Sequence, residues 1–345
     1  MNKVYVLCHP HTQTGGAELV HQLVYKLNLL EPGFANAFYK DYDQSGHPTP
    51  EAYKKYTGGN YATKVEKGSK DFLILPEINT NLIANYKSNP IMVWWLSVDN
   101  FIGSIYKINK KENERINGLP IFQKMAVKIL RRLGFIKKFD PFTKKYLFAE
   151  NVKLHGSQSE FARQFLAGKN LNNTIFLSDY LNSAFTQDKN NGAEKKNNIL
   201  YNPAKGFEVT KALIEEFPEY NWIALRGFTS EEMENIMKES KIYIDFGNHP
   251  GKDRIPREAA INHCVVITNK TGSAGNNIDV PIAEKYKFDD ILNHKKAFKT
   301  LVDDIFQNFE SHLVSFESYR NSIKNEEKTF DKEVLNLYNL IKIIK

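Results

Sequence analysis

Cysteine is scarce in this chain: 345 residues contain two, Cys8 and Cys264, each inside an apolar run. Two thiols so far apart exclude a disulfide framework and a cysteine metal site, and predict buried thiols in a reducing compartment. Long apolar runs are missing as well. Nothing approaches the roughly 18 consecutive apolar residues of a bilayer span. The run after Met1-Asn2-Lys3 is about five residues long, short of a secretory h-region. A cytoplasmic protein is therefore expected. No His or Cys cluster has metal-ligand spacing, and neither a P-loop nor a G-x-S-x-G elbow occurs. With 41% apolar and 25% charged residues, the composition gives no sign of disorder.

The length suggests two cores, since single ones seldom exceed about 250–300 residues. Apolar runs of strand length at residues 4–8, 72–75, 91–96 and 152–154 are interleaved with helical patterns at 17–30 and 121–133. Ser157 and Glu160 read as a capping box opening a helix that runs to Leu166. The second half alternates again, with strands at 199–201, 222–225, 242–246 and 264–268 and helices near 208–217, 231–239 and 256–262. The helix near 231–239 is opened by a second box, Thr229 with Glu232. This alternation predicts an α/β chain of two doubly wound, Rossmann-like domains facing across a cleft. The polar stretch 186–198 is the expected linker, dividing a domain at 1–185 from one at 199–325. Residues 326–345 are expected to dock across both as an amphipathic helix, with Phe330, Val334, Leu337, Ile341 and Ile344 on one face.

Ligands of such folds bind beyond the carboxyl ends of the strands, so the residues that follow each strand carry the functional argument. After the first strand comes Gly15-Gly16-Ala17-Glu18, whose glycines allow close backbone approach to an oxyanion at a helix start. Asn202-Pro203-Ala204-Lys205-Gly206 follows the first strand of the second half, and its lysine is placed to meet a diphosphate. Arg226 ends the next strand in the same way. The densest segment is His249-Pro250-Gly251-Lys252-Asp253-Arg254-Ile255-Pro256-Arg257-Glu258. His249, Lys252 and Arg254 with a helix start suit an anion, and Glu258 suits ribose hydroxyls. A second glycine loop, Gly272-Ser273-Ala274-Gly275, follows the run at 264–268 and offers amides. Asp99, after the Trp-rich strand, is a candidate to orient an acceptor or act as base. Asp41-Tyr42-Asp43 has the D-x-D form of metal-dependent transferases, but no long apolar strand leads into it.

In order and spacing these segments resemble the retaining glycosyltransferases of the GT-B fold, especially the family 4 type. Gly15-Gly16-Ala17-Glu18 is similar to that family's G-G-A-E loop. Lys205-Gly206 is similar to its strand-end K-G, and Gly251 to Glu258 followed by Ala259-Ala260 to its G-x(6)-E-A segment. Pro250 stands where the family usually has a second Glu, and Arg226 or Arg254 would substitute for its arginine. The resemblance implies an N-terminal acceptor-binding domain and a C-terminal nucleotide-sugar-binding domain. It implies transfer from a nucleotide-diphosphate sugar, with Lys205, Arg254, Glu258 and Asp99 as the catalytic set. Gly15, Gly16, Arg226, His249, Gly251, Lys252, Ser273 and Ala274 complete the donor site, and no metal or other cofactor is expected. The acceptor would be a saccharide or a lipid-linked precursor of a bacterial surface polysaccharide. A nucleotide-sugar epimerase and a non-catalytic sugar-nucleotide binder are the alternatives on the same scaffold.

The net charge of +7 agrees with phosphate-bearing partners. On the helix at 121–133, Lys124, Lys128, Arg131 and Arg132 flank an apolar face of Phe122, Met125, Ala126, Ile129 and Leu133. That pattern suits an anionic membrane surface, or else a helix packed on a sheet with a solvated basic side. No RNA-binding module is recognised, so nucleic acid is not expected as a partner.

Overall fold

The computed structural model describes residues 3–66, 69–133, 137–182 and 194–344, arranged as two compact units. Unit 1 comprises Met1–Gln158, Ala162–Leu177 and Lys332–Lys345; unit 2 comprises Ser159–Phe161 and Ser178–Asp331. The expected linker lies outside the described residues as far as 193. Its last three residues, 196–198, are strand instead. Lys195 precedes them, its ammonium donating to the carbonyls of Met237, Ser240 and Asn262 at 2.7–2.9 Å.

The strands of unit 1 are β1 (Val4–Leu7), β2 (Ala35–Phe38), β3 (Tyr61–Ala62), β4 (Phe72–Pro76), β5 (Ile91–Trp95), β6 (Val152–Ser157) and β7 (Thr174–Phe176). They form one parallel sheet in the order β3-β2-β1-β4-β5-β6-β7. β4 and β5 are buried along their whole length, as their unbroken apolar sequences require of central parallel strands. Among its helices are α1 (Gly15–Leu30), α2 (Glu51–Thr57), α3 (Val98–Asn117) and α4 (Ile121–Arg132); α5 (Glu160–Gly168) begins at the boundary between the units.

Unit 2 holds β8 (Lys196–Tyr201), β9 (Asn221–Ala224), β10 (Ser240–Asp245), β11 (Val265–Asn269) and β12 (Lys287–Phe288), a parallel sheet in the order β12-β11-β10-β8-β9. Its helices are α6 (Phe207–Glu216), α7 (Ser230–Lys238), α8 (Arg254–Ile261), α9 (Lys295–Gln307), α10 (Phe309–Ser315) and α11 (Glu317–Lys324). The last helix, α12 (Glu326–Ile343), starts in unit 2 and ends in unit 1; Phe330, Val334, Leu337 and Ile341 are buried along it.

In both sheets the strand order reverses once, between β1 and β4 and between β8 and β10. Crevices at the carboxyl ends of strands form at such switch points.

Two expected helix starts came out differently. Thr229 and Glu232 make the reciprocal capping box, with bonds of 3.2 and 2.8 Å. Ser157 caps nothing: it is the last residue of β6, and its hydroxyl donates to the carbonyl of Ile175. The first amides of α5, those of Glu160 and Phe161, are received at 2.8 and 2.9 Å by the carboxylate of Asp279. A remote carboxylate has taken the place of the local serine.

Candidate functional site

At the switch point of unit 2 two loops meet at backbone contact. Gly206, with φ of 59°, caps α6 in the left-handed region. A Cβ there would lie 2.5 Å from the carbonyl carbon of Phe246, so only glycine fits. Gly247 is matched to it, since a Cβ would meet that of Lys205 at 2.5 Å. This contact brings the end of β8 and the loop after β10 together. Across it the ammonium of Lys205 lies 2.8 Å from the Asp253 carboxylate.

The Asp253 carboxylate also lies 3.1 Å from Nδ1 of His249, which is buried and whose Nε2 faces Asp245 at 3.8 Å. Asp245 in turn accepts from the Tyr243 hydroxyl and the Gly247 amide. Burial disfavours the imidazolium of His249, but the bond to Asp253 and the charges of Asp245 and Asp253 outweigh it, and its pKa rises. Burial likewise works against the Asp253 carboxylate; His249 and Lys205 overcome it and hold its pKa below the ordinary value. Asp245, His249 and Asp253 bring their ligand-type atoms within 4.8 Å of one another, a grouping the sequence spacing did not suggest. It works here as a hydrogen-bonded clamp that orients Lys205.

Asp253 is the N-cap of α8, yet its side chain makes no cap bond because Lys205 and His249 engage it. The positive end of α8 therefore has no side-chain cap. The helix begins at Arg254, two residues earlier than expected. Pro256 still lies in the first turn, where no N–H is needed, and Glu258 falls in the second. Glu258 is buried and lies 3.4 Å from Arg254.

The structure pairs Lys205 with Asp253, the residue before Arg254, and pairs Arg254 with Glu258. Other expected donor residues serve different ends. Lys252 pairs at 2.7 Å with Glu326, beside the fully buried Arg257, which pairs with Asp179 and Glu326. It belongs to the ion network of Arg257. His249 is a buried brace. The amides of Ser273 and Ala274 already donate to the carbonyls of His249 and Thr271, and the Ser273 hydroxyl donates to that of Gly251. The glycine loop thus props the loop after β10, and a Cβ on Gly272 would strike the His249 oxygen at 1.9 Å. Arg226 is exposed at the end of the edge strand β9.

At the switch point of unit 1 a cavity of about 290 Å³ is lined by His9, Thr14, Gly16, Glu77, Leu96 and Asn100, among others. Thr14 caps α1, accepting from the Ala17 amide at 3.3 Å, while Gly15 opens the helix. Glu77 follows Pro76 at the end of β4. It is buried, and its carboxylate accepts from the Leu96 amide at 3.0 Å. Burial raises its pKa to about 7 despite the amides of Leu96, Glu77 and Ser97. Asp99 lies in the first turn of α3, behind the N-cap Ser97; it is exposed and does not line this cavity. Glu77 is the cavity's carboxylate, and its position after a strand was a sufficient signal. In the D-x-D segment, the Asp41 carboxylate is paired with Lys40.

On α4 no residue is buried, and Ile121, Phe122, Met125, Ile129 and Leu133 are exposed. Lys128 and Arg132 are exposed and Lys124 half-buried. Arg131 is not available to a surface, because it is held by Asn113 at 2.8 Å and Glu112 at 3.3 Å on α3. Among the described residues no helix is long and apolar enough to cross a membrane.

No protein-family model matches the chain, and no curated protein does. Solved structures are similar in fold. A sucrose-phosphate synthase from Thermosynechococcus elongatus matches over 100% of both chains, with a TM-score of 0.58 and 11% identity. The Anabaena protein HepE, in complex with UDP-glucose, matches over 99% of this chain and 98% of its own, with a TM-score of 0.54 and 9% identity. The fold is GT-B. The pneumococcal O-GlcNAc transferase GtfA, in complex with UDP and GlcNAc, has a TM-score of 0.50 and 11% identity, and this chain spans only 59% of its length. At such identities the likeness is one of architecture, and within the GT-B architecture the two switch points described above are where residues of this chain must be weighed one by one.

Proposed function

We propose that the chain is a glycosyltransferase moving a sugar from a nucleotide-diphosphate sugar to a saccharide or lipid-linked acceptor in bacterial surface polysaccharide synthesis. The observation that carries this reading is the junction of β8 and β10, where the clamped Lys205 meets the N-cap of α8 and the same helix carries Arg254 and the buried Glu258. Lys205 and Arg254 neutralise the diphosphate, the start of α8 adds its dipole, and Glu258 accepts from ribose hydroxyls. The UDP and UDP-glucose complexes of the GT-B neighbours agree with a nucleotide donor.

In the retaining form of the reaction an acceptor hydroxyl oxygen bonds to the anomeric carbon on the face the diphosphate leaves. The bond from that carbon to the diphosphate oxygen breaks with its electron pair, and the hydroxyl proton passes to the departing diphosphate. Lys205 and Arg254 stabilise the charge that develops there, so the reading needs no metal or other cofactor. The acceptor end falls to the cavity beside Gly16 and Glu77. The chain would work in the cytoplasm, with α4 resting on an anionic membrane face.

The test is thermal stabilisation by a panel of nucleoside diphosphates and nucleotide sugars, with and without magnesium. A ligand at 100 times its Kd stabilises by about 2.7 kcal/mol, or roughly 5–10 °C for a unit of this size. One nucleotide should give that shift without magnesium, and Lys205→Ala or Glu258→Ala should remove most of it. No shift with any nucleotide, or an undiminished shift in both folded variants, would overturn the assignment.

A further inference from the structure

Unit 1 carries a second concavity that the reading above does not use. It is a basin of about 850 Å³ with Lys111 and Arg115 of α3 on one wall and Lys137, Lys138 and Lys145 on the other. Two carboxylates share the lining, Glu112 and Asp140. Both are engaged: Glu112 lies 3.3 Å from Arg131, and Asp140 accepts from the Phe142 amide at 2.9 Å. Five cations against two carboxylates leave a formal excess of three positive charges.

The walls are fixed relative to one another. Asn109 on α3 both donates to the carbonyl of Phe139 and accepts from its amide, at 3.1 and 2.8 Å. The Phe139 and Tyr146 rings pack edge to face at 4.9 Å. The segment around Phe139 is therefore tied to α3, which sets the two groups of exposed cations beside one another.

Arg131 ties α4 to the same helix through Asn113 and Glu112. A basic basin bordered by α3 and the uncovered apolar stripe of α4 thus lie on adjoining helices. A free nucleotide has no use for the stripe. The stripe is chiefly aliphatic, Ile121, Met125, Ile129 and Leu133 with Phe122, which offers little for base stacking by RNA. A molecule with a strongly anionic head and a long hydrocarbon chain complements both features.

We propose that this basin binds the phosphate or diphosphate head of a lipid, whose hydrocarbon chain lies along the exposed face of α4. The inference rests on the transferase reading only in taking that lipid as the carrier of the acceptor. Lys111 and Arg115 grip from α3 and Lys137 and Lys138 from the facing segment. Two-sided contact favours a terminal phosphate or diphosphate over the shielded phosphodiester of an ordinary anionic lipid.

The experiment is co-sedimentation of the full chain with three kinds of vesicle: phosphatidylcholine alone, with phosphatidylglycerol, and with a polyprenyl diphosphate at matched charge. Inorganic pyrophosphate serves as soluble competitor. The polyprenyl diphosphate vesicles should bind roughly tenfold more tightly than the phosphatidylglycerol ones, and pyrophosphate should erase that advantage. The variant Lys111→Gln with Lys137→Gln and Lys138→Gln should lose the advantage, its binding to polyprenyl diphosphate falling well beyond the general electrostatic loss it shows on phosphatidylglycerol, and should keep its melting temperature. Equal binding to both lipids overturns the proposal, as does a variant that keeps the advantage. Equal loss on both lipids in the variant means general surface charge and overturns it too. Pyrophosphate binding with no lipid advantage assigns the basin to free phosphates instead. No nucleotide enters this assay, so a chain that fails the nucleotide panel but passes here loses only the transferase reading.

Discussion

Replacing Glu77 by Gln should remove a pH dependence from the stability of unit 1. The Glu77 carboxyl is 2% exposed, and burial lifts its pKa from 4.5 to about 7. Between those values the folded chain keeps a proton that the unfolded chain has released, so stability falls as pH rises across the window and levels off above it. A window of that width is worth about 3 kcal/mol, or roughly 6–12 °C in the melting temperature of a domain this large. Gln keeps an acceptor for the Leu96 amide but cannot ionise. Scanning calorimetry from pH 5 to 8 should show the wild-type melting temperature falling relative to that of the variant. His155, held near 4 by burial, and His21, lowered by burial, are present in both proteins and cancel in the comparison. Parallel profiles for the two proteins would refute a buried ionisable carboxyl at this cavity.

Two further outcomes follow from the same reasoning. Gly206→Ala should destabilise unit 2 by about 2–5 kcal/mol, the sum of a left-handed backbone and an overpacked contact. Gly58→Ala, at φ of 58° with nothing within 4 Å of its Cβ, should cost only the backbone part, about 1–2 kcal/mol; equal losses in chemical denaturation would discredit the contact at Phe246. Reversing Lys124, Lys128 and Arg132 to Glu, with Arg131 left in place, should reduce binding to phosphatidylglycerol vesicles at least tenfold, since each cation near such a surface contributes about 1 kcal/mol. Unaltered co-sedimentation would sink the membrane reading of α4.

The strands legible in the sequence were β1, β4, β5, β6, β8, β9, β10 and β11, each marked by a short apolar run, and the plainest were β4 and β5, whose burial on both faces demands that composition. β2, Ala35-Asn36-Ala37-Phe38, and the two-residue strands β3 and β12 have too little apolar length to stand out, and their pairing comes from neighbours in the sheet. α3 also escaped notice, since its 20 residues bury only Val98, Phe101 and Ile116. At the candidate site, Lys205 drew attention because it follows a strand and precedes a helix, and Glu258 because it lies near the start of the helix after β10. The role of His249 could not, since its partners Asp245 and Asp253 are brought to it by loop folding. Asp279, which caps α5 from 119 residues away, leaves no local trace at all.

The Arg257 network constrains how the chain is assembled. Arg257 is fully buried, and its partners are Asp179, at the start of the main segment of unit 2, and Glu326, at the start of α12. Leaving such a cation without a partner costs about 3–5 kcal/mol. During synthesis from the N-terminus, Arg257 can meet Asp179 early, but the second carboxylate arrives only when α12 is made. The ion network around the helix that carries Arg254 and Glu258 is thereby complete only once the start of α12 has been made. A copy interrupted before Glu326 would keep the Asp179 pair but lose the carboxylate that Arg257 and Lys252 share, so its second unit should be less stable than that of the whole chain.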